Sequence, residues 1–290
     1  MQLKNHPGCR LLTEAGALSQ MAVWYEEERK TLWVMQHAHP RPCFNLALLA
    51  DLDKLKNAIV RSGLEVDFWV TGSDVPGIFN VGGDLSFFVQ QIRSRNLESL
   101  RAYAHACIEG TWGAMNGFGV GAITIAMIEG TALGGGLESA LAHEYVFAQK
   151  DAKMGFPEIA FNLFPGMGAY SLVARKASDR VAEQLIRTGE AHSGEWFAER
   201  GLVDKTFDAG ESFKSTRTFI DELQPKLNGV RAMLRARRRI QGISKQELID
   251  ITDDWARSAF HLREEDLAYM ERLVMLQNRR MGKPPLAAAA

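Results

Sequence analysis

From Thr111 to Ile128 the chain carries no charged side chain. A run of that length raises the question of a membrane helix. Gly113, Gly117, Gly119 and Gly121 interrupt it, however, and Glu129 ends it. A continuous helix is therefore disfavoured, and the segment reads as buried strand and turn. Such a segment needs a core to cover it. With 290 residues, 46% hydrophobic and 24% charged, the chain can bury one substantial core, or a core plus a smaller appendage.

The rest of the chain alternates in the same sense. Met21–Tyr25 and Thr31–Met35 read as two strands around the charged turn 26–30. Leu46–Val60 carries apolar residues at helical spacing, and Val66–Gly72 reads as a strand running into a glycine turn. Phe87–Ile108 reads as one helix broken at Gly110, Ala122–Ile128 as a buried strand, Leu137–His143 as a short helix and Tyr145–Ala148 as a strand. Recurring strand, strand, helix with short connections predicts an α/β layered core. Beyond about Phe207 the strand signals stop. Ser244 and Glu247 form a capping-box pattern, and two apolar faces follow, Leu248/Ile251/Trp255 and Leu267/Met270/Val274. The expected organisation is an active-site core over 1–210 and a helical region over 211–290, with a loose tail from about 282.

A formal net charge of −1 argues against a nucleic-acid surface. Cys9, Cys43 and Cys107 are odd in number and far apart, with no zinc-like spacing, so neither a disulfide nor a structural metal is expected. Lys4, Asn5, His6 and Pro7 precede any apolar run, which disfavours a secretory signal and predicts a cytoplasmic protein without a membrane anchor.

Chemistry concentrates in three segments. In 79–85 (FNVGGDL), paired glycines let the backbone approach a ligand before a helix that Asp84 caps. In 129–138 (EGTALGGGLE), a strand ends in three glycines and a helix begins, so free amides meet the positive end of a helix dipole. Two such amide sources make an oxyanion hole. Glu138 falls in the first turn of that helix, and Glu158 follows the turn at Pro157. Taken singly, each motif also describes an ordinary turn or surface charge; their combination and order are what point to catalysis.

Together these segments resemble the crotonase, or enoyl-CoA hydratase/isomerase, superfamily. The resemblance runs over about residues 20 to 210, through 41–48 (RPCFNLAL), 79–85, 130–138, 155–159 (GFPEI), 164–168 (FPGMG) and 198–204 (AERGLVD). It implies an α/β fold, a crotonase-like spiral of ββα units with a helical C-terminal region, assembled as a homotrimer or higher oligomer. It implies also that the Gly83 and Gly135 amides bind a thioester oxygen, that Glu138 and Glu158 form the acid/base pair, and that no cofactor is needed. Polarising a thioester carbonyl acidifies its α-carbon, and the two carboxyls then move protons.

Within that superfamily the wording of 77–85, the 154–170 segment and the Trp255 arm resemble the bacterial diffusible signal factor synthases. That branch implies dehydration of a 3-hydroxyacyl group on acyl carrier protein, followed by thioester hydrolysis to a free cis-2-unsaturated fatty acid, and it allows a sensor kinase as partner. Hydratase action on an acyl-CoA in fatty-acid degradation is the alternative, and a non-catalytic acyl- or partner-binding protein is a third. Met167, Trp255 and Leu273 are the candidate lining of an acyl slot. Arg231, Arg235, Arg237, Arg238 and Arg239 read either as a solvated helix face or as a docking site for an acidic carrier or coenzyme A phosphates. No histidine is assigned a role.

Overall fold

The computed structural model describes residues 8–12 and 16–281, so the expected tail from about 282, and residues 1–7, on which the reading against a secretory signal rests, lie outside the described residues. The chain opens with the antiparallel strands β1 (Cys9–Leu11), β2 (Met21–Glu26) and β3 (Thr31–Gln36). Helix α1 (Leu46–Ser62) follows, capped by Asn45, whose side chain accepts from Leu48 N at 2.8 Å, and ended by Gly63 in the left-handed region.

Three turns of a spiral come next. Strand β4 (Phe68–Ser73) leads to β5 (Ile78–Asn80) and the helices α2 (Leu85–Arg93) and α3 (Leu97–Met115). Strand β6 (Ile123–Ile128) leads to β7 (Thr131–Leu133) and α4 (Gly135–Leu141). Strand β8 (Tyr145–Gln149) leads to β9 (Met154–Gly155), a 3₁₀ turn over Pro157–Phe161, then α5 (Ala169–Lys176), α6 (Asp179–Thr188) and α7 (Gly194–Glu199). Each turn adds one strand to a seven-stranded sheet, ordered β1-β2-β3-β4-β6-β8 and closed by β10 (Lys205–Phe207), and one to a parallel three-stranded sheet, β5-β7-β9. Among the described residues only helices follow: α8 (Ser212–Leu223), α9 (Leu227–Ile240), α10 (Lys245–Ala259) and α11 (Glu264–Arg280).

Both faces of the large sheet's central strands β3, β4 and β6 are covered, which is why they read as apolar runs rather than as alternation. Trp33, Met35, Phe68, Val70, Ile125 and Phe147 face a cluster closed by Phe213, Ile220 and Leu234 of α8 and α9. Their neighbours Leu32, Val34, Trp69, Ala126 and Val146 face the main core, which the small sheet and the other helices complete. The charge-free run, read as strand and turn, begins instead as helix: 111–115 end α3 with Gly113 inside it, and only then does the chain turn through Gly117–Gly119 and enter β6. Gly117 has φ 66°, and a Cβ there would lie 2.5 Å from the Ala122 carbonyl oxygen. Any larger residue would displace the strand start.

Three other local expectations are corrected. The helix predicted over Phe87–Ile108 is two helices, and the break lies at Ser94–Asn96 rather than at Gly110. Arg95 takes φ 56° and Asn96 caps α3 by accepting from Ser99 N at 3.0 Å. Gly110 continues the helix, its flank leaving room for Leu52 of α1. Glu26, expected in the charged turn 26–30, instead ends β2 at 1% exposure, bonded to Trp33 Nε1 and paired with Arg29 and Arg217. The arginine cluster on α9 is only partly solvated, with Arg235 and Arg239 exposed and the other three paired inside the protein. Arg231 pairs with Asp67 at 2.7 Å, and Arg237 and Arg238 clamp the buried Glu144. These contacts latch α9 to the sheet.

Candidate active site

The small sheet explains why the predicted residues meet. Strands β5, β7 and β9 are parallel neighbours, so the loops leaving their carboxyl ends emerge side by side. The first carries Gly83, the second runs through Gly134 and Gly135 into α4 with Glu138, and the third carries Glu158. A Cβ built on Gly135 would stand 3.5 Å from Gly82 Cα and 3.6 Å from Gly83 N, so the two loops touch. Neither the Gly83 nor the Gly135 amide donates to an acceptor among the described residues. The Gly135 amide opens α4, where the helix has no partner for it and the dipole is positive. Gly134 takes φ 52° and ψ −128°, and a Cβ on it would strike Glu158 Oε1 at 2.2 Å, so the chain bends there and leaves the carboxylate its place.

Glu138 is 1% exposed, and its Oε1 accepts from Met167 N at 2.7 Å and Ala169 N at 2.9 Å. Burial lifts its pKa from 4.5 to about 7, and the two amides oppose that rise. For Glu158 the amide that helps is its own, none is supplied across the fold, and its Oε2 is sealed from solvent with no hydrogen-bond partner among the described residues. Burial first, and the neighbouring Glu138 charge second, hold it well above the usual carboxylate range. A buried carboxyl with an unmet oxygen is costly unless it is kept protonated or meets a ligand. The environments thus separate the pair: Glu138, cradled by amides, ionises first, and Glu158 keeps its proton.

Glu138, Glu158, Gly83 and Gly135 line one cavity of about 190 Å³, which Met167, Trp255 and Leu273 also line. All seven residues singled out from sequence are brought together. Met167 lies over Gly135, with Sδ 2.8 Å from where a Cβ would be, and Trp255 presses on Gly166 and meets Phe88 edge to face at 5.0 Å. Helix α10 is held in place by α3 and by Thr252, whose hydroxyl donates to Gly166 O at 2.5 Å. Sequence reasoning missed Phe88, Tyr103 and Cys107 on the same wall. Tyr103 and Cys107 stand one helical turn apart, but periodicity cannot tell a cavity wall from a core face. A larger cleft of about 640 Å³ at the carboxyl ends of the large sheet, lined by Asp74, Glu129, Asp151 and Lys153, contains none of the predicted residues. His143 is buried against Thr71 and the Ser139 carbonyl, and burial lowers its pKa to about 4, so it stays neutral.

The family model described as enoyl-CoA hydratase/isomerase matches residues 62–273, which include both carboxyls, both glycines, Met167, Trp255 and Leu273 of this cavity. The chain belongs to the enoyl-CoA hydratase/isomerase family. It is 30% identical over 152 residues to the probable mitochondrial enoyl-CoA hydratase 2 of Arabidopsis thaliana, covering 52% of this chain and 48% of that one. It is 27% identical over 182 residues to the 2,3-dehydroadipyl-CoA hydratase of Escherichia coli K12, covering 62% and 67%. The chain thus spans about half the length of the first relative and two thirds of the second. An enoyl-CoA hydratase/isomerase from Xanthobacter autotrophicus Py2 superposes with a TM-score of 0.75 at 18% identity, over 91% of this chain and 96% of that one, which establishes the crotonase fold. No helix among the described residues is long and apolar enough to cross a membrane.

Proposed function

We propose that this protein is a hydratase of 2-enoyl thioesters, with Glu138 and Glu158 as its acid/base pair and the Gly83 and Gly135 amides as its oxyanion hole. The observation that carries this reading is the asymmetry of the two buried carboxyls beside two unspent amides. At neutral pH the more readily ionised Glu138 accepts a proton from water, whose oxygen bonds to the β-carbon of the substrate. The π electrons move through the α-carbon to the thioester oxygen, and the Gly83 and Gly135 amides stabilise the enolate. Glu158 delivers its proton to the α-carbon. A single donor of this kind is typically worth about 2.7–4 kcal/mol in the transition state. Elimination of water from a 3-hydroxyacyl thioester is the same path reversed, and it needs the opposite protonation of the pair. Ionised Glu138 with protonated Glu158 is the state from which addition starts. The names of the matching relatives, hydratases in both cases, support the same direction.

The wall of Phe88, Phe161, Leu163, Met167, Trp255 and Leu273 supports a hydrocarbon acyl chain rather than a polar one. That wall also suits the second reading, a diffusible signal factor synthase that dehydrates a 3-hydroxyacyl-acyl carrier protein to the cis-2-enoyl thioester and hydrolyses it. Three arginines of the α9 cluster spend their charge internally, which weakens that cluster as a docking surface for an acidic carrier. One experiment separates the readings: incubation with trans-2-enoyl-CoA, and with 3-hydroxyacyl thioesters of coenzyme A and of carrier protein, resolving cis, trans and free-acid products by mass spectrometry. Reversible hydration of the trans-2-enoyl-CoA, lost in Glu138→Gln and Glu158→Gln, is the expected result. Free cis-2-enoic acid from the carrier-protein thioester would move the protein to the signal synthases, and no turnover at all would leave a binding protein.

A further inference from the structure

The segment 81–84 presents four consecutive backbone amides, and three of them are spent inside the protein. Val81 N donates to Pro42 O at 2.8 Å, Gly82 N to Asn80 Oδ1 at 2.8 Å, and Asp84 N to the Tyr103 hydroxyl at 3.2 Å. Gly83 N alone has no acceptor among the described residues, and Gly83 lines the cavity. The same turn is tied to Phe44 on both sides of Gly83. Phe44 N donates directly to Gly82 O at 2.8 Å, and Phe44 O accepts from the Tyr103 hydroxyl at 2.5 Å. One phenol oxygen therefore closes a ring of hydrogen bonds around the glycine, accepting from the residue after it and donating to the strand-like segment beside it.

We propose that Tyr103 is a positioning residue, whose hydroxyl holds the Gly82–Asp84 turn so that the Gly83 amide points at the substrate carbonyl. The proposal rests on the reading of Gly83 as an oxyanion donor. Several features fit the hydroxyl to this task. Tyr103 is 3% exposed, and its ring is braced by Phe87 at 5.1 Å and Phe88 at 5.3 Å between centroids, so the hydroxyl has little freedom. Burial raises its pKa well above the usual tyrosine range, so it remains a donor to Phe44 O at any working pH. The Gly135 amide needs no equivalent, because α4 itself fixes its direction. Gly83 precedes its helix by two residues and has no helix to hold it.

The test is Tyr103→Phe, which keeps the ring and removes only the oxygen, examined by kinetics and by the infrared carbonyl stretch of a bound, isotope-labelled thioester analogue. Wild type should lower that stretch on binding. Removing an oxyanion donor outright typically costs about 10²–10³ in kcat. Releasing its turn should cost less, on the order of ten- to a hundred-fold, with KM little changed and a smaller fall in the carbonyl frequency. A merely structural hydroxyl would lower the melting temperature but leave the frequency of the bound analogue at its wild-type value, and that result would overturn the proposal. Absence of any frequency change in wild type would instead overturn the oxyanion reading of Gly83 itself. Site-specific 3-fluorotyrosine at position 103, which restores ring and hydroxyl, should restore both the rate and the frequency; failure to do so also counts against the proposal.

Discussion

Replacing Glu138 by Gln should make the protein less active and, above neutral pH, more stable. In the folded state the Glu138 carboxyl has a pKa of about 7 against an ordinary 4.5, because burial penalises its charge. As pH rises from 4.5, the unfolded chain gives up this proton while the folded chain still holds it, so stability falls until the pH passes the folded value. Lifting the pKa by that amount corresponds to about 3 kcal/mol, fully lost above about pH 7.5. Glutamine is the neutral counterpart, and its Oε1 can still accept from the Met167 and Ala169 amides at the positions recorded for the carboxylate. It also removes the charge that helps hold Glu158 protonated, which relieves a second source of destabilisation in the same direction. Urea unfolding at pH 8 should then give a midpoint for Glu138→Gln above that of wild type by the equivalent of about 3 kcal/mol, and the gap should close as pH falls toward 4.5. Turnover should fall by about 10²–10⁴ at every pH, the usual contribution of one general acid or base, or about 2.7–5.5 kcal/mol in the barrier. A stability gap independent of pH, or a variant less stable at pH 8, would refute the account of Glu138 as a buried carboxyl strained by its own charge.

Three further outcomes follow from the same geometry. Glu158→Gln should reduce turnover by about 10²–10⁴ while leaving binding of a thioester analogue within about threefold, measured by calorimetry against stopped-time product assays. Gly134→Ala should abolish activity by driving Glu158 from its place, and should also cost on the order of 1–3 kcal/mol for a side chain at this backbone conformation. Urea midpoints and product assays read the two effects separately. Trp255→Ala should destabilise by about 3–5 kcal/mol and shift the preferred acyl chain toward longer or bulkier members, which a series of enoyl thioesters of increasing length would register.

Much of the candidate site was legible before the fold. Gly83, Gly135, Glu138 and Glu158 announce themselves because each stands where glycine or proline imposes a backbone path, and such constraints are local. The strands were legible for a similar reason: Trp69-Val70 and Ile123–Ile128 are apolar without alternation, the mark of a sheet covered on both faces. The break at Ser94–Asn96 was not, because glycine at 110 is a stronger local signal than an asparagine cap, and only the contact with Leu52 explains why the helix passes through it. Glu26 was misread for a kindred reason, since its partner Arg217 lies far away in the chain.

What the sequence by itself determined is the inventory: two carboxylates, two glycine-flanked amides, a ββα rhythm and a helical end. Tertiary structure alone decided their chemistry. The parallel order of β5, β7 and β9 brings three distant loops to one edge, and α3 and α10 close the wall with Tyr103 and Trp255. The difference between Glu138 and Glu158 likewise comes from amides supplied across the fold, to one carboxyl and not the other. Proton affinity depends on surroundings within a few ångströms, and for a buried group those surroundings are contributed by residues the chain places nowhere near it in order.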